Sequence, residues 1–339
     1  MNEKHCVIAV IGATSLIGRE VQVVLRERQF PILEWRLFDT AEALVACTEG
    51  DDVVPVDELE HADLRGVDIV FMCATPGLTL EWAPRAVAER AMVIDTTRAF
   101  ADDAAVPVIV PEVNASEVGK YAHGCLLASP VVGAVALSVV LKPLHERAGL
   151  KRVVVAGYEP VSSAGREGID ELSRQTAELM NGQPTDVAIF PHRIAFNVIP
   201  EVGDFLATGI STGEWQVESQ TRRLLGLPEL PITMTSVRVP TFYGQAYAVN
   251  VETEASIDTA AARALFRAAP GVLLMDDVQT HSYPTLIDAV SQEATLVGRI
   301  RDDLTVRFGL NFWVAIDGSG KGGAGNAVQI AEILVRDYL

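Results

Sequence analysis

At 339 residues the chain is long enough for two domains, and a composition that is 49% hydrophobic but only 6% aromatic fits an α/β protein with an aliphatic core. A net charge of −18 with no offsetting basic block argues against nucleic acid or an anionic membrane surface as partner, since both select clustered Lys and Arg. No run of about 18 apolar residues is free of polar interruption, so no membrane span is expected. The N-terminus, MNEKHCVIAVIG, enters a strand at once without a signal-peptide layout, and the cytoplasm is the expected location. Cys6, Cys47, Cys73 and Cys125 lie far apart with no CxxC spacing. They are expected to be buried reduced thiols, with no metal cluster.

The apolar run Val7–Ile11 ends at Gly12, and Gly12-Ala13-Thr14-Ser15-Leu16-Ile17-Gly18 opens a helical pattern to about Arg28. Strand, glycine-rich turn and helix form a dinucleotide-binding arrangement, with the helix N-terminus facing a pyrophosphate. The middle glycine is Ser15, and a turn that only packs tightly is the alternative. Trp35–Phe38 reads as a second strand ending in Asp39. A carboxylate there either hydrogen-bonds a ribose 2′-OH or is a solvated loop group. No Lys or Arg follows until Arg65, so NAD fits this end better than NADP.

Val67–Ala74 is a further parallel-type strand, followed by a helix over Thr79–Arg90 and a strand over Met92–Asp95. Val106–Val110 then leads to Pro111-Glu112-Val113-Asn114. This alternation indicates a doubly wound sheet. Beyond it the texture changes. Strands are expected at Arg152–Tyr158, Ile232–Pro240, Gln245–Glu254, Val297–Ile300 and Thr305–Val314. Helices are expected over Gly168–Met180, Glu214–Leu225 and Ala260–Ala269. These make a mixed, largely antiparallel second domain whose sheet is a natural dimer face. A glycine-rich stretch, Asp317–Gly325, opens a last helix, Asn326–Asp337, able to return and cover the first domain. The domains are placed at 1–128 plus 318–339 and at 129–317.

Between them lies LLASPVVGAVALSVVL, Leu126–Leu141, a buried strand, a tight turn and a buried helix. Such a turn is where an α/β enzyme presents a nucleophile, with helix N–H groups aimed at an oxyanion. Here it offers Pro130, Val131, Val132 and Gly133, none of which can attack a carbonyl.

The ordered segments GATSLIG, VIDTTRAF, VPEVN, ASPVVG, PVSSAG, IAFNVIP, VRVP, VGRIR and GKGGAGNAVQIAE resemble aspartate-semialdehyde dehydrogenase across essentially the whole chain. The resemblance implies a Rossmann-like domain and a glyceraldehyde-3-phosphate-dehydrogenase-like dimerisation domain. It also implies a homodimer or tetramer, and reduction of β-aspartyl phosphate with NADPH. Carried over by position, several chemical residues differ. The nucleophilic cysteine is Val132, the histidine base is Gln245, and the glutamine expected after the aromatic of a T-Y-Q segment is Glu159. The phosphate-holding Arg and Lys are Ala101 and Gln216. Arg238, similar to the family's substrate-carboxylate arginine, is retained. The pattern resembles the Usg-type paralogues, which keep the fold and lack the cysteine.

No catalytic residue is therefore expected. The cofactor-binding candidates are Gly12, Thr14, Ser15, Leu16, Ile17, Gly18 and Asp39, with NAD or NADP as a possible cofactor. The candidate small-molecule pocket centres on Arg238 and Glu159, joined by Tyr243 and Tyr247. Cys125, seven residues before Val132, is a weak stand-in nucleophile. His192 is expected to be a satisfied structural histidine, and His123 and His281 surface groups. Three functions remain open: a non-catalytic homologue, a dehydrogenase working by an unusual route, and a different oxidoreductase acting on a carboxylate, with Glu112 or Glu159 as base.

Overall fold

The computed structural model describes residues 5–46, 55–123 and 125–339, without the side chains of residues 46 and 121–123. Cys47 and the side chain of His123, both assigned from sequence, lie outside the described part. The chain divides into two compact units, Met1–Val131 with Gly323–Leu339, and Val132–Gly322. The sequence reading puts these boundaries after residues 128 and 317.

In the first unit the strands are β1 (Cys6–Ile11), β2 (Ile32–Asp39), β3 (Val56–Glu58), β4 (Ile69–Met72), β5 (Met92–Asp95) and β6 (Leu126–Ala128). They form one sheet in the order β3-β2-β1-β4-β5-β6, every pair parallel. The helices between them are α1 (Leu16–Glu27), α2 (Ala41–Ala46), α3 (Pro76–Ala88) and α4 (Pro111–Asn114). The unbroken apolar run of β1 follows from burial on both faces. Ile8 and Val10 join one core with Val21 and Leu25 of α1, while Val7, Ala9 and Ile11 join another with Trp82 and Ala83 of α3. Each such fully buried aliphatic contributes roughly 1.5–3 kcal/mol relative to exposure. Val106–Val110 does not form a strand. It makes a single bridge, Val108 to Ala128, because Pro107 has no N–H to donate.

The second unit contains α5 (Val132–Ala148), β7 (Leu150–Glu159), α6 (Gly165–Met180), α7 (Thr212–Leu225), β8 (Ile232–Arg238), β9 (Gln245–Thr253), α8 (Thr259–Ala268), β10 (Val272–Leu274), α9 (Leu286–Ala289), β11 (Thr295–Asp302) and β12 (Gly309–Ile316). Its sheet runs β10-β11-β12-β9-β7-β8. The central pairs are antiparallel and the two outer pairs parallel, a mixed sheet as expected. Helix α5 packs on α7 and on the central strands.

Helix α10 (Gly325–Asp337) returns to the first unit and completes its core through Ala327, Val328, Ile330, Ala331 and Leu334. Its fully buried Asn326 donates to Ile109 O (3.0 Å) and Ser129 Oγ (2.9 Å). Arg28 at the end of α1 grips Glu332 with two bonds of 2.7 and 2.9 Å. No helix among the described residues is long and apolar enough to cross a membrane.

Candidate functional site

The glycine-rich turn after β1 is held from two sides. Gly12 sits at φ +86°, and a Cβ there would strike the backbone of Ala74 beyond β4, so only glycine fits. A Cβ on Gly18 would meet the carbonyl of Gly12, which is how α1 comes down close on the turn. Ser15 takes the middle-glycine position and caps α1: its Oγ accepts from Gly18 N at 2.9 Å and donates to Cys73 O at 2.8 Å. The N–H groups of Leu16 and Ile17 open the helix, where no intrahelical acceptor exists. That end is shaped and polarised to receive an anion.

Asp39, at the end of β2, is buried, with 5% exposure. Its Oδ2 accepts from Thr14 N at 2.8 Å and from Thr14 Oγ1 at 2.6 Å, and its Oδ1 accepts from Thr40 N at 2.9 Å. The solvated-carboxylate alternative is thereby corrected. Asp39 ties the glycine turn to the adjacent strand, and its remaining lone pairs are all it can offer a ribose.

In the second unit, β7, β8 and β9 bring four polar side chains together. Glu159 and Arg238 are register partners on β7 and β8, and Gly157 faces Tyr247 across β7 and β9. Tyr247 is fully buried, and its hydroxyl donates to Gln245 Oε1 at 2.5 Å, with Glu159 Oε1 3.3 Å away. Burial raises the phenol well above its ordinary value, and the neighbouring Glu159 charge adds to this, so Tyr247 acts as a neutral donor. Arg238, 8% exposed, bonds through Nη1 to Pro160 O (2.9 Å) and Ser163 Oγ (2.5 Å), and its guanidinium carbon lies 5.2 Å from the Phe190 ring centre. Burial pushes the guanidinium pKa down and Glu159 pulls it back up. Arginine stays charged through such a shift. Both of these bonds use Nη1.

Val132 is the first residue of α5. Its Cγ1 lies close against Gly322, where an added Cβ would be 2.5 Å away. A side chain at the next residue, Gly133, would begin 2.9 Å from Tyr247 Oη and 2.7 Å from Val217 Cγ2. The helix start, the tyrosine and α7 thus converge on one spot, beside the Val132 isopropyl group.

Other sequence candidates do not join this arrangement. His192 is exposed, not a satisfied core histidine, and Tyr243 is 44% exposed, outside the buried network. His281 is exposed, as expected. Cys125 precedes β6, so a strand of roughly 10 Å separates it from the turn at Ser129. Cys6 and Cys73 are buried, and burial pushes the Cys73 thiol up to about 12. Glu112 accepts from Gln329 Nε2 at 3.1 Å. Ala101 is buried at 1% exposure, and Gln216 on α7 is half-buried. Sequence reasoning missed Asp317 and Lys321, both almost fully buried. Asp317 accepts from Ser291 N and Ser319 N (2.9 and 3.1 Å) and fixes the turn that carries Gly322 to Val132. Its only sequence signal is the glycine density around it.

The sequence model of the semialdehyde dehydrogenase NAD binding domain matches residues 7–121, and that of the semialdehyde dehydrogenase dimerisation domain matches residues 141–318. Among curated relatives, aspartate-semialdehyde dehydrogenase 2 of Vibrio cholerae is 38% identical over 334 residues, covering 98% of each chain. The aspartate-semialdehyde dehydrogenase of Legionella pneumophila is 36% identical over 338 residues, 99% of this chain and 97% of that one. The crystal structure of aspartate semialdehyde dehydrogenase II from Vibrio cholerae superposes with a TM-score of 0.94 at 36% identity, over 99% of this chain and 100% of the other. With both domain models matched in order and relatives aligned end to end, the chain belongs to the aspartate-semialdehyde dehydrogenase family.

Proposed function

We propose that this chain has lost acyl-phosphate reduction while keeping a dinucleotide turn and a carboxylate-binding arginine. The observation that carries this reading is Val132 at the first position of α5. Thioester formation needs a thiolate at that place, and a valine methyl forms no acyl bond. Gln245 at the base position accepts the Tyr247 proton and has none to exchange at neutral pH. The relatives are named for the activity, so the expected contrast is with them. The purified protein should show no phosphate-dependent oxidation of aspartate semialdehyde with NADP or NAD under conditions in which the Vibrio cholerae relative turns over. Turnover within about tenfold of that relative would overturn the reading.

The residues that remain support binding. The Gly12–Gly18 turn and the start of α1 would take the pyrophosphate of NAD or NADP, and Arg238 would take a small carboxylate through Nη2 and Nε. A bound nicotinamide would supply a hydride acceptor or donor. Tyr247 and Gln245 would hold the pocket's polar wall fixed, and the Glu159 charge keeps Arg238 cationic. A homodimer is the assembly we expect from the dimerisation-domain match and from exposed apolar groups in the second unit, among them Phe196, Val198 and Phe205. Light scattering that returns a single-chain mass would exclude it.

A second reading, an oxidoreductase acting on a different carboxylate, rests on the same Arg238. It predicts that NAD or NADP is reduced by some small hydroxy or aldehyde acid, and that Arg238→Met raises KM before it lowers kcat.

A further inference from the structure

Helix α6 carries two polar side chains on its buried face, Glu171 at 3% exposure and Gln175 at 0%. They stand one helical turn apart, and Gln175 Nε2 donates to Glu171 Oε1 at 2.8 Å. Both reach the chain that follows the helix, which runs through residues 186–195 with no strand or helix of its own. Glu171 Oε2 accepts from Ile189 N at 2.5 Å, and both Glu171 oxygens lie 3.3 Å from Ala188 N. Gln175 Nε2 also donates to Asp186 O at 3.1 Å, and its Oε1 accepts from Ile194 N and Ala195 N at 3.0 and 3.1 Å. The Gln175 amide thus uses both its N–H groups and both its lone pairs. Buried polar groups matched this fully specify one conformation of the segment they hold.

That conformation places Phe190. Its side chain is buried, in a cluster with Val161, Leu172, Ile194 and Ile199. Gly168 lets α6 close on the ring, since a Cβ there would stand 3.1 Å from Phe190 Cζ and 2.5 Å from Val161 O. The Arg238 guanidinium carbon lies 5.2 Å from the ring centre. A desolvated guanidinium over an aromatic face is attracted by the ring quadrupole. Further along the same stretch, Ile199 and Arg238 exchange two backbone bonds, of 2.8 and 3.0 Å. Side chain and main chain of one arginine are therefore both set by the chain that Glu171 and Gln175 shape.

We propose that Glu171 and Gln175 are positioning residues for Arg238, acting through Phe190 to hold the guanidinium in one orientation before a carboxylate arrives. The proposal rests on the reading of Arg238 as a carboxylate holder. A long arginine side chain left free would have to be ordered on binding, and that cost lowers affinity.

Phenylglyoxal labelling of the full-length protein, with and without succinate and mapped by peptide mass spectrometry, tests this. Arg238 should label slowly, and succinate should slow it further. Arg222 of α7, 25% exposed in its side chain and bonded to Leu230 O and Ile232 O, is the internal reference. Gln175→Ala should raise Arg238 labelling at least about tenfold and weaken the succinate protection, with Arg222 unchanged. Phe190→Leu keeps an apolar side chain but removes the ring. It should raise Arg238 labelling about threefold, and it decides the matter where Gln175→Ala folds poorly. Arg238 labelling that stays at the wild-type rate in the folded variants overturns the proposal. So does Arg222 labelling that rises in step with Arg238, because the two side chains would then support the whole unit and not one arginine. If succinate fails to protect Arg238 in the wild type while the variants still label faster, the carboxylate reading falls and takes this purpose with it, an outcome distinct from a failure of positioning.

Discussion

Tyr247 Oη donates to Gln245 Oε1 at 2.5 Å, inside the sheet and away from solvent. The bond fixes the amide, leaving its nitrogen toward the Gly318 turn, where an added Cβ would sit 3.4 Å from it. Gln245 and Tyr247 thus form a fixed, buried hydrogen-bonded pair.

Because the pair is buried, breaking it should be costly. Tyr247→Phe strands Gln245 Oε1 and should lower stability by about 1–3 kcal/mol in urea denaturation. Adding Gln245→Leu removes the stranded acceptor, so the double variant should be more stable than the sum of the singles predicts by about 1 kcal/mol. Strict additivity would show that the bond contributes nothing.

Val132→Cys places a thiol at the first position of α5, where the helix N-terminus favours a thiolate. On the proposed reading, adding Gln245→His supplies a nucleophile and a base together. Even so, the double variant should remain at least about a thousandfold below active relatives in kcat/KM, because Ala101 and Gln216 supply no phosphate-binding charge. The engineered thiol should nevertheless react with a disulfide reagent. Fast labelling combined with negligible turnover is the expected pair of results.

Much of the fold was legible because both faces of the first sheet are buried. A continuous apolar run such as Met92–Asp95 then marks a strand to the residue. Where burial is one-sided the signal weakens. β2 begins three residues before the expected Trp35, since β3 is only three residues long and leaves Leu33 and Glu34 exposed at that end. The site was legible by type but not by role. Asp39 was recognisable as the acid after β2, yet nothing local shows that Thr14, twenty-five positions earlier, donates to it. His192, expected to be a satisfied structural histidine, is instead exposed.

The thiols should separate by burial. With burial pushing Cys73 to about 12, only about one molecule in ten thousand carries its thiolate at pH 8, so alkylation mapped by mass spectrometry should find Cys125 modified long before Cys6 or Cys73. The folded-state value lies above the unfolded one, so the associated stability is complete below about pH 9 and is lost as pH rises toward 12. Cys73→Ala should flatten that alkaline decline. An unchanged slope would mean that other groups set it.

Asp39 offers the sharpest separation between a scaffold role and a ligand role. Its two oxygens take three donors, from the Thr14 amide, the Thr14 hydroxyl and the Thr40 amide. Asp39→Ala strands all three in a buried setting and should cost about 2–4 kcal/mol. Asp39→Asn keeps one acceptor oxygen but turns an NH₂ toward a donor, so its loss should fall between the wild type and Ala. Dinucleotide affinity should drop in the same order, since the glycine turn is anchored through Thr14. A residue whose only task was to grip a ribose would behave otherwise: affinity would fall in both variants while the unfolding midpoint stayed put. Denaturation and titration run on the same three proteins therefore decide the matter, and a constant midpoint would return Asp39 to the ribose.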